Sequence, residues 1–473
     1  MKKKMFVLLL ALALLLTGCG AGSVTLDLSG VKTDPERLVA GSFSDVDVSL
    51  GDVGLFYPLD NTLRYYDLEK REEYILCPRA NCMHNSSDCI AYFASNLVGE
   101  SAKGVAQIDQ YIYCFYFGIS LEDYANNSPK AVQLLRIDPN KGTREAVASF
   151  PCAMIVADGE TDEQFYANGV SEISYCNGWA WCYLDMRQSY GLDEQLDYSQ
   201  LTGINLETGE VVALNGYDDL YYNFMMITAD NVYYRTIRET PQLTEAEWYD
   251  RFGDEPGTID GNSFDSWFDY WCWHVNHTTK EYCYYAYNIA SGETTLLTRC
   301  GTVLVSEIGR GEWQSPPWYL EGVYDGRVLL KELVPDEAGA YAYYSHTAFS
   351  LLDPVTGEME RVEALDNTYS YSVYTMGNNI LSDGSYYYCK RTSADTIDVW
   401  LYNFSTGENR FLFTDNANWT FMIYGEYNAG YFGKHREHQY LEGYYWISKE
   451  DFLAGNLDAM VHYDAGGSEP LWN

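Results

Sequence analysis

The stretch Ile204-Asn205-Leu206-Glu207-Thr208-Gly209-Glu210 joins two apolar segments through a single polar turn. Asn205 is a turn-forming residue, and Gly209 is free to take the positive φ that closes a hairpin. The same pattern recurs at 287–293, 352–358 and 402–408, and weaker copies lie at 66–70 and 137–142. The repeat therefore predicts a series of β-hairpins along the chain.

A second pair of short strands precedes most of these turns and has a turn of its own, as at Asn177-Gly178 and Asp325-Gly326. Four short strands in each repeated unit are typical of a β-propeller. With a last unit at 420–463, the sequence predicts an all-β propeller of about seven four-stranded blades. An array of β-sandwiches is the structural alternative.

The N-terminus has the layout of an export signal. Three lysines at positions 2–4 precede an apolar run, which ends at Leu16-Thr17-Gly18-Cys19. The run is shorter than the roughly 20 residues that a membrane span needs. The end of this segment resembles the lipobox of bacterial lipoproteins, which implies cleavage before Cys19 and lipidation of its thiol. We therefore expect a signal peptide at 1–18, a lipidated flexible tether at 19–40 and the propeller at 41–473.

The composition restricts the classes of partner. The net charge of -38 repels nucleic acid and anionic lipid head groups, so we expect no nucleic-acid partner. A hydrophobic fraction of 47% is too high for a disordered acidic chain. Tyrosine occurs 44 times and suits half-exposed sheets and binding surfaces, since it favours strands and has a polar tip.

A cysteine-rich segment contains Cys77, Cys82, His84 and Cys89. These residues are the ligand types of a Cys3His zinc site. Their spacing lacks the paired Cys-x2-Cys turns of a zinc knuckle, and an exported chain meets oxidising conditions, so a disulfide between two of the thiols is favoured. Zinc binding and plain packing are the alternatives. We expect this segment to be a structural staple and not a catalytic centre.

Residues 238–282 interrupt the repeat, and the capping-box spacing Thr244-Glu245-Ala246-Glu247 predicts a short helix through about Phe252. A second helix start is expected at Ser448. The insertion is rich in aromatic residues, which stack on sugar rings or on apolar side chains of a partner. Its candidate ligand-binding residues are Trp248, Trp267, Trp271 and Trp273. The alternative is that these rings form the insertion's own small core.

Other candidate sites are weaker. Acidic clusters at 158–162 and 254–269 are possible calcium ligands, but neither fits an EF-hand loop. The sequence contains no Gly-x-Ser-x-Gly elbow, no His-Glu-x-x-His and no phosphate-binding loop, so it offers no candidate catalytic residue.

The chain as a whole resembles a group of bacterial surface lipoproteins whose propeller is related to the extracellular propellers of low-density-lipoprotein receptors. The lipobox, the repeated turns and the cysteine segment carry this resemblance. It implies a propeller on the outer face of the cell membrane, anchored through Cys19, and it implies no activity.

We therefore hypothesise a binding module that presents one face to an extracellular glycan, peptide or partner protein, with no catalysis. The alternative is a propeller hydrolase or lyase that acts on polysaccharide through carboxylates in the central channel. Channel carboxyls with raised pKa values would favour this enzyme.

Overall fold

The computed structural model describes residues 26–463 apart from 43–47, 80, 87, 94–101, 118–130, 153–164, 189–196, 217–219, 239–242, 244, 254, 260, 278–279, 308–310, 338, 342–345, 369–379, 394–395, 417–420 and 437–441. The strands form seven blades of antiparallel sheet, which follow one another in chain order. The predicted seven-bladed β-propeller is confirmed.

The first four blades use the strands up to residue 300. Blade 1 contains β2 (Ser49–Leu50), β3 (Leu55–Leu59), β4 (Thr62–Asp67) and β5 (Glu72–Ile75). Blade 2 contains β6 (Ala102–Ile108), β7 (Tyr111–Phe117), β8 (Ala131–Asp138) and β9 (Thr143–Pro151). Blade 3 contains β10 (Phe165–Cys176), β11 (Trp179–Gln188), β12 (Asp197–Asn205) and β13 (Val211–Ala213), with β1 (Val39–Ser42) paired to β10. Blade 4 contains β14 (Leu220–Ile227), β15 (Asn231–Arg238), β18 (Glu281–Asn288) and β19 (Thr294–Cys300).

The last three blades complete the ring. Blade 5 contains β22 (Trp318–Tyr324), β23 (Arg327–Leu333), β24 (Thr347–Leu352) and β25 (Met359–Arg361). Blade 6 contains β26 (Ser385–Arg391), β27 (Thr396–Asn403) and β28 (Glu408–Asn416), and Ile380 supplies a single bridge to Tyr386 beside them. Blade 7 contains β29 (Met422–Tyr427), β30 (Gly430–Arg436), β31 (Glu442–Ser448) and β32 (Val461–Tyr463).

The quoted turn connects the third and fourth strands of blade 3. The Asn205 side chain accepts hydrogen bonds from the N–H groups of Glu207 at 3.0 Å and Thr208 at 2.9 Å. Gly209 has a φ of +74° and donates its N–H to the Asn205 carbonyl at 2.9 Å. The turns at Asp138, Asn288, Asp353 and Asn403 close in the same way. One local pattern thus builds the same hairpin in most of the blades.

Seven clusters of buried apolar side chains hold the blades together, and each cluster lies between two adjacent blades. The cluster that closes the ring joins Leu55 and Tyr66 of blade 1 to Phe432 and Tyr444 of blade 7. Each blade is therefore covered on both faces, and the ring needs no further element to close it.

The tyrosine-rich composition has a structural reason in the blade interiors. Tyr386, Tyr387 and Tyr388 are consecutive on β26, and all three are fully buried. Tyr387 packs between blades 6 and 7, whereas Tyr386 and Tyr388 pack between blades 5 and 6. Their hydroxyls donate to Glu321, Phe421 and Asn409. Tyrosine fills both blade interfaces and still satisfies its polar tip.

The described part of the expected tether lies against the propeller. Leu28 is fully buried in the cluster between blades 1 and 2. The N–H of Thr33 donates to Asp109 at 2.9 Å, and Arg37 forms an ion pair with Asp52. Residues 26–40 thus differ from the flexible tether that their small, polar composition predicted, because Leu28 finds an apolar site. Residues 1–25, with Cys19, are outside the described residues.

The insertion lies between the second and third strands of blade 4. It contains α1 (Glu245–Phe252), the hairpin of β16 (Gly257–Ile259) and β17 (Asn262–Phe264), and α2 (Trp267–His277). The helix predicted through Phe252 is confirmed. A second hairpin, β20 (Val303–Glu307) and β21 (Gly311–Ser315), precedes blade 5 and contacts α2.

Helix α3 (Lys449–Leu453) follows β31, and the Ser448 side chain caps it by accepting the N–H of Asp451 at 2.9 Å. The helix start expected at Ser448 is confirmed. Short 3-10 turns lie at Glu363–Leu365 and Leu457–Ala459. No helix in the described part of the chain has the length and apolar character needed to cross a bilayer.

Candidate metal centre and aromatic platform

The cysteine-rich segment forms a loop after the fourth strand of blade 1, and we call residues 76–93 the Cys loop. The Leu76 N–H donates to the Leu63 carbonyl at 3.0 Å, and the Phe93 N–H donates to the Asn61 carbonyl at 2.8 Å. Both ends of the loop are therefore fixed to β4 and the turn before it. On the other side, Arg144 of blade 2 donates to the Tyr92 carbonyl at 2.8 Å.

The loop brings Cys77, Cys82, His84 and Cys89 together. Their Sγ and ring nitrogen atoms all lie within 4.8 Å of one another. His84 has a φ of +51°, and its Nδ1 lies 3.3 Å from the Cys89 Sγ. Cys77 and Cys89 are buried, and Cys82 and His84 are half-buried. Three thiols and an imidazole thus surround one point at the edge of an apolar cluster.

The surroundings of the cluster shift the pKa values of Cys89, Cys82 and His84 in different ways. Burial raises the pKa of the Cys89 thiol to about 12. Burial also opposes ionisation of Cys82, but hydrogen bonds from the His84 N–H and from the other two thiols bring the pKa of Cys82 below its usual value. Burial, together with the charge of Arg64, lowers the pKa of His84. Cys82 therefore ionises more readily than Cys89, and the imidazole favours its neutral form.

The structure does not contain the favoured disulfide, since Cys77, Cys82 and Cys89 are free thiols. Spacing in the sequence did not show that His84 turns back towards Cys89. Most of the other described cysteines are buried in strands or, for Cys152, directly after one: Cys114, Cys152, Cys176, Cys182, Cys283 and Cys389.

The aromatic insertion has a core of its own. Trp248 is only 1% exposed and packs on Phe252, Phe264 and Tyr270, with ring centroids 4.7, 6.4 and 5.5 Å away. Trp273 is half-buried and lies 5.3 Å from Phe264. A ligand cannot stack on Trp248, so this residue is corrected from a candidate contact to a core residue.

The opposite side of α2 presents aromatic rings to solvent. Phe268 is 60% exposed and Trp271 is 37% exposed, and their rings stack with centroids 5.8 Å apart. Trp267 lies 6.5 Å from Trp271, one helical turn before it, and its Nε1 donates to the Leu243 carbonyl at 3.3 Å. We call Trp267, Phe268 and Trp271 the aromatic platform.

The helix explains which candidates come together. Tyr270 and His274 lie one turn apart on the buried side of α2, and the Tyr270 hydroxyl is 3.4 Å from the His274 Nδ1. Trp267 and Trp271 lie one turn apart, and Trp267 is half-buried against the insertion core, whereas Trp271 and Phe268 are exposed. The candidate residues from the sequence include Trp267 and Trp271 but not Phe268, which lies three residues before Trp271 on the same helix.

The first strands of the blades lie nearest the central axis, where β6 contacts β2 and β10, and β14 contacts β22. Three carboxyls lie in these strands, and one of them, Glu426 of β29, forms an ion pair with Lys449. Glu172 sits at a bulge of β10 with a φ of +47°, and burial raises its pKa. Glu321 sits at the matching bulge of β22 and forms an ion pair with Lys331, at 2.8 Å. Glu172 is the one carboxyl with a raised pKa that the described residues contain.

The acidic clusters that are weak calcium candidates lie only partly within the described residues. Residues 158–162 lie outside the described residues, as do Asp254 and Asp260. Within the described ranges, the Cys77, Cys82, His84 and Cys89 group is the one assembly of potential ligand atoms close enough to share a metal ion.

The sequence matches no known family model and no curated protein. Among solved structures, the chain is similar to puromycin hydrolase, with 12% identity and a TM-score of 0.43 over 95% of this chain and 57% of that one. Oligopeptidase B from Leishmania major shows 8% identity and a TM-score of 0.42, over 93% of this chain and 50% of that one. Acylaminoacyl peptidase from Pyrococcus horikoshii shows 9% identity and a TM-score of 0.37, over 74% and 45%.

The chain spans about half the length of these solved structures. The assignment as a propeller rests on this chain's own sheets and blade interfaces. The function must be argued from its own surface.

Proposed function

We propose that this chain is a lipid-anchored, extracytoplasmic binding propeller whose aromatic platform engages a glycan. The observation that carries this proposal is the exposed, stacked pair of Phe268 and Trp271 on a helix whose other side is buried. Large apolar rings that stay exposed on a rigid element are suited to a ligand that stacks on them.

The packing of α2 on the insertion core, beneath the platform, favours ligand binding. Tyr270 anchors α2 to the insertion core through Trp248, and α2 also contacts β21. The platform rings are therefore held before a ligand arrives, which lowers the entropy cost of binding. The insertion connects the second and third strands of blade 4, so it lies at the opposite end of the blade from the repeated turns.

The chemistry around the platform favours a sugar. Asp265 and Asp269 are exposed and lie within a few residues of the platform in the sequence, and carboxylates accept hydrogen bonds from sugar hydroxyls. The C–H face of a sugar ring stacks on an aromatic ring. Because the net charge of the chain is -38, an anionic polysaccharide is repelled, and a neutral or amino-substituted glycan fits best.

The proposed anchor is the lipid on Cys19, which would hold the propeller on the outer face of the membrane. Its support is the lipobox sequence Leu16-Thr17-Gly18-Cys19. A Cys19→Ala variant should leave the membrane fraction and appear in the soluble extracytoplasmic fraction. If this variant remained wholly in the membrane fraction, another anchor would be required.

A glycan array of neutral and amino-substituted oligosaccharides, probed with the detergent-extracted full chain, tests the binding role. Titration of the best ligand should then show that Phe268→Ala and Trp271→Ala each weaken binding by about tenfold or more, since one stacked ring contributes about 1 to 3 kcal/mol. Tyr249→Ala is the matched control, because Tyr249 is 48% exposed on the same insertion but lies on α1.

Equal loss in Tyr249→Ala, or unchanged affinity in both platform variants, would contradict the platform as the binding site. If the parent binds no glycan but retains a peptide or protein through Phe268, the sugar assignment is wrong and the binding role stands.

The alternative hydrolase or lyase would need a pair of channel carboxyls with separated pKa values. Of the three carboxyls in the first strands, Glu321 is paired with Lys331, Glu426 is paired with Lys449, and Glu172 lies on a different blade from both. The described residues therefore give the binding role more support than the enzyme.

A further inference from the structure

We propose that Cys77, Cys82, His84 and Cys89 bind one Zn²⁺ ion as a closed structural site. The ion would cross-link the Cys loop internally and so hold the loop in the shape that packs against blades 1 and 2 of the propeller. This site is independent of the aromatic platform, which lies on blade 4.

The arrangement of the ligand atoms fits a tetrahedral ion. Zinc bonds to sulfur and nitrogen at about 2.3 and 2.0 Å place the corners of a tetrahedron about 3.6 to 3.8 Å apart. The four ligand atoms already lie within 4.8 Å of one another, and the His84 Nδ1 is 3.3 Å from the Cys89 Sγ. Small side-chain movements would therefore complete the tetrahedron, and no change of the loop backbone is needed.

The donor set identifies the metal and the kind of site. Three thiolates with one imidazole in tetrahedral geometry favour zinc over calcium or magnesium, which prefer oxygen ligands. All four positions are supplied by protein side chains, so no position is left for water or substrate. Cys77 and Cys89 are buried against the apolar cluster, which also protects the centre from solvent. Such a closed site is structural.

The apolar cluster around Cys77 and Cys89 joins parts of the chain that are distant in sequence. Cys77 and Cys89 share an apolar cluster with Leu28 of the N-terminal segment and Ile137 of blade 2. Arg144 of blade 2 also holds the end of the loop, since it donates to the Tyr92 carbonyl and lies 5.1 Å from the Phe93 ring. A metal ion bound by the four loop side chains would hold the loop in the conformation that makes these contacts.

Zinc accounts for the cluster better than a disulfide does. A disulfide would use two thiols and leave the third thiol and His84 without a partner of matching chemistry. It would also not explain why His84 adopts a positive φ and directs its ring to Cys89. Zinc uses all four groups together.

The test is metal analysis of the full chain, expressed in its exported form and purified without chelators. We expect about one zinc per chain, and replacement by Co²⁺ should give the intense visible absorption of tetrahedral thiolate coordination. Cys82→Ser should lose the zinc, whereas Cys272→Ser should keep it. Cys272 is a matched control because it is a half-buried cysteine outside the Cys loop.

His84→Cys separates ligation from folding. This variant keeps four tetrahedral ligands, so it should retain about one zinc and shift the cobalt spectrum towards a four-thiolate centre, while His84→Ala should lose the ion. Circular dichroism checks that each variant keeps its sheet structure. Zinc retention in Cys82→Ser or His84→Ala would overturn the proposal. So would a parent chain that contains no zinc and carries a disulfide among the three thiols by mass mapping.

Discussion

The buried ion pair of Glu321 and Lys331 offers the sharpest test of the energetics of the ring. The two side chains are 5% and 3% exposed, and Tyr386 from the neighbouring blade donates its hydroxyl to the Glu321 Oε2 at 3.1 Å. The pair therefore connects blades 5 and 6 through polar contacts inside an otherwise apolar interface. Lys331→Met removes the cation and leaves the carboxylate buried.

The expected cost follows from the geometry. At 2.8 Å and an effective dielectric constant of about 20, the attraction is about 6 kcal/mol, most of which offsets the desolvation of both groups. Removal of one partner from such a pair typically costs about 3 to 5 kcal/mol. We expect Lys331→Met to lower the free energy of unfolding by this amount. The double variant Glu321→Met/Lys331→Met should recover most of the loss, since it leaves no buried charge.

Urea unfolding followed by tryptophan fluorescence measures these differences as shifts in the midpoint at constant slope. Arg327→Met is the matched control, because Arg327 forms an exposed pair with Glu360 in the same blade, and its loss should cost less than about 1 kcal/mol. The reasoning is refuted if Lys331→Met costs no more than Arg327→Met, or if the double variant is less stable than the single one.

Three further changes test other features. Gly209→Ala should lower the free energy of unfolding more than Gly407→Ala does. Both glycines have a φ near +70°, but only at position 209 would the new Cβ meet a backbone atom, the Val147 carbonyl oxygen, at 2.5 Å. Burial raises the folded-state pKa of Glu172 from 4.5, so the stability that its protonated form contributes is lost as the pH rises through that pKa. Glu172→Gln should therefore make the melting temperature fall less steeply above about pH 4.5. Trp248→Ala should cost about 3 to 5 kcal/mol, measured by thermal unfolding with Phe268→Ala as the exposed control.

The hairpins were predictable because their chemistry is local. Asn205 and Gly209 lie four residues apart and form the turn with their own backbone neighbours. The repeat of that turn was enough to give the fold class and about seven blades. The boundary near residue 41 was not predictable, because Leu28 is buried by side chains of blades 1 and 2 that are far away in sequence.

For the candidate sites too, local patterns could be predicted from the sequence, whereas contacts between distant residues could not. Aromatic composition pointed to the insertion, but it did not separate the buried Trp248 from the exposed Trp271, because both are tryptophans in the same aromatic-rich segment. The preference for a disulfide came from the expected compartment and from residue spacing. Neither the compartment nor the residue spacing shows how close the side chains come to one another in the folded loop.

The sequence by itself determined the local units of this protein: the turns, the strand-rich blades, the helix starts in the two interruptions and the ligand types in the Cys loop. Each depends on residues within a few positions of one another, where backbone geometry leaves few choices. The tertiary structure decided which face of α2 meets solvent, that Glu321 meets Lys331 and Tyr386, and that His84 meets Cys89. These outcomes depend on how neighbouring segments pack. No single segment determines which side chains are buried or which ones come into contact, because both arise only when the ring is closed.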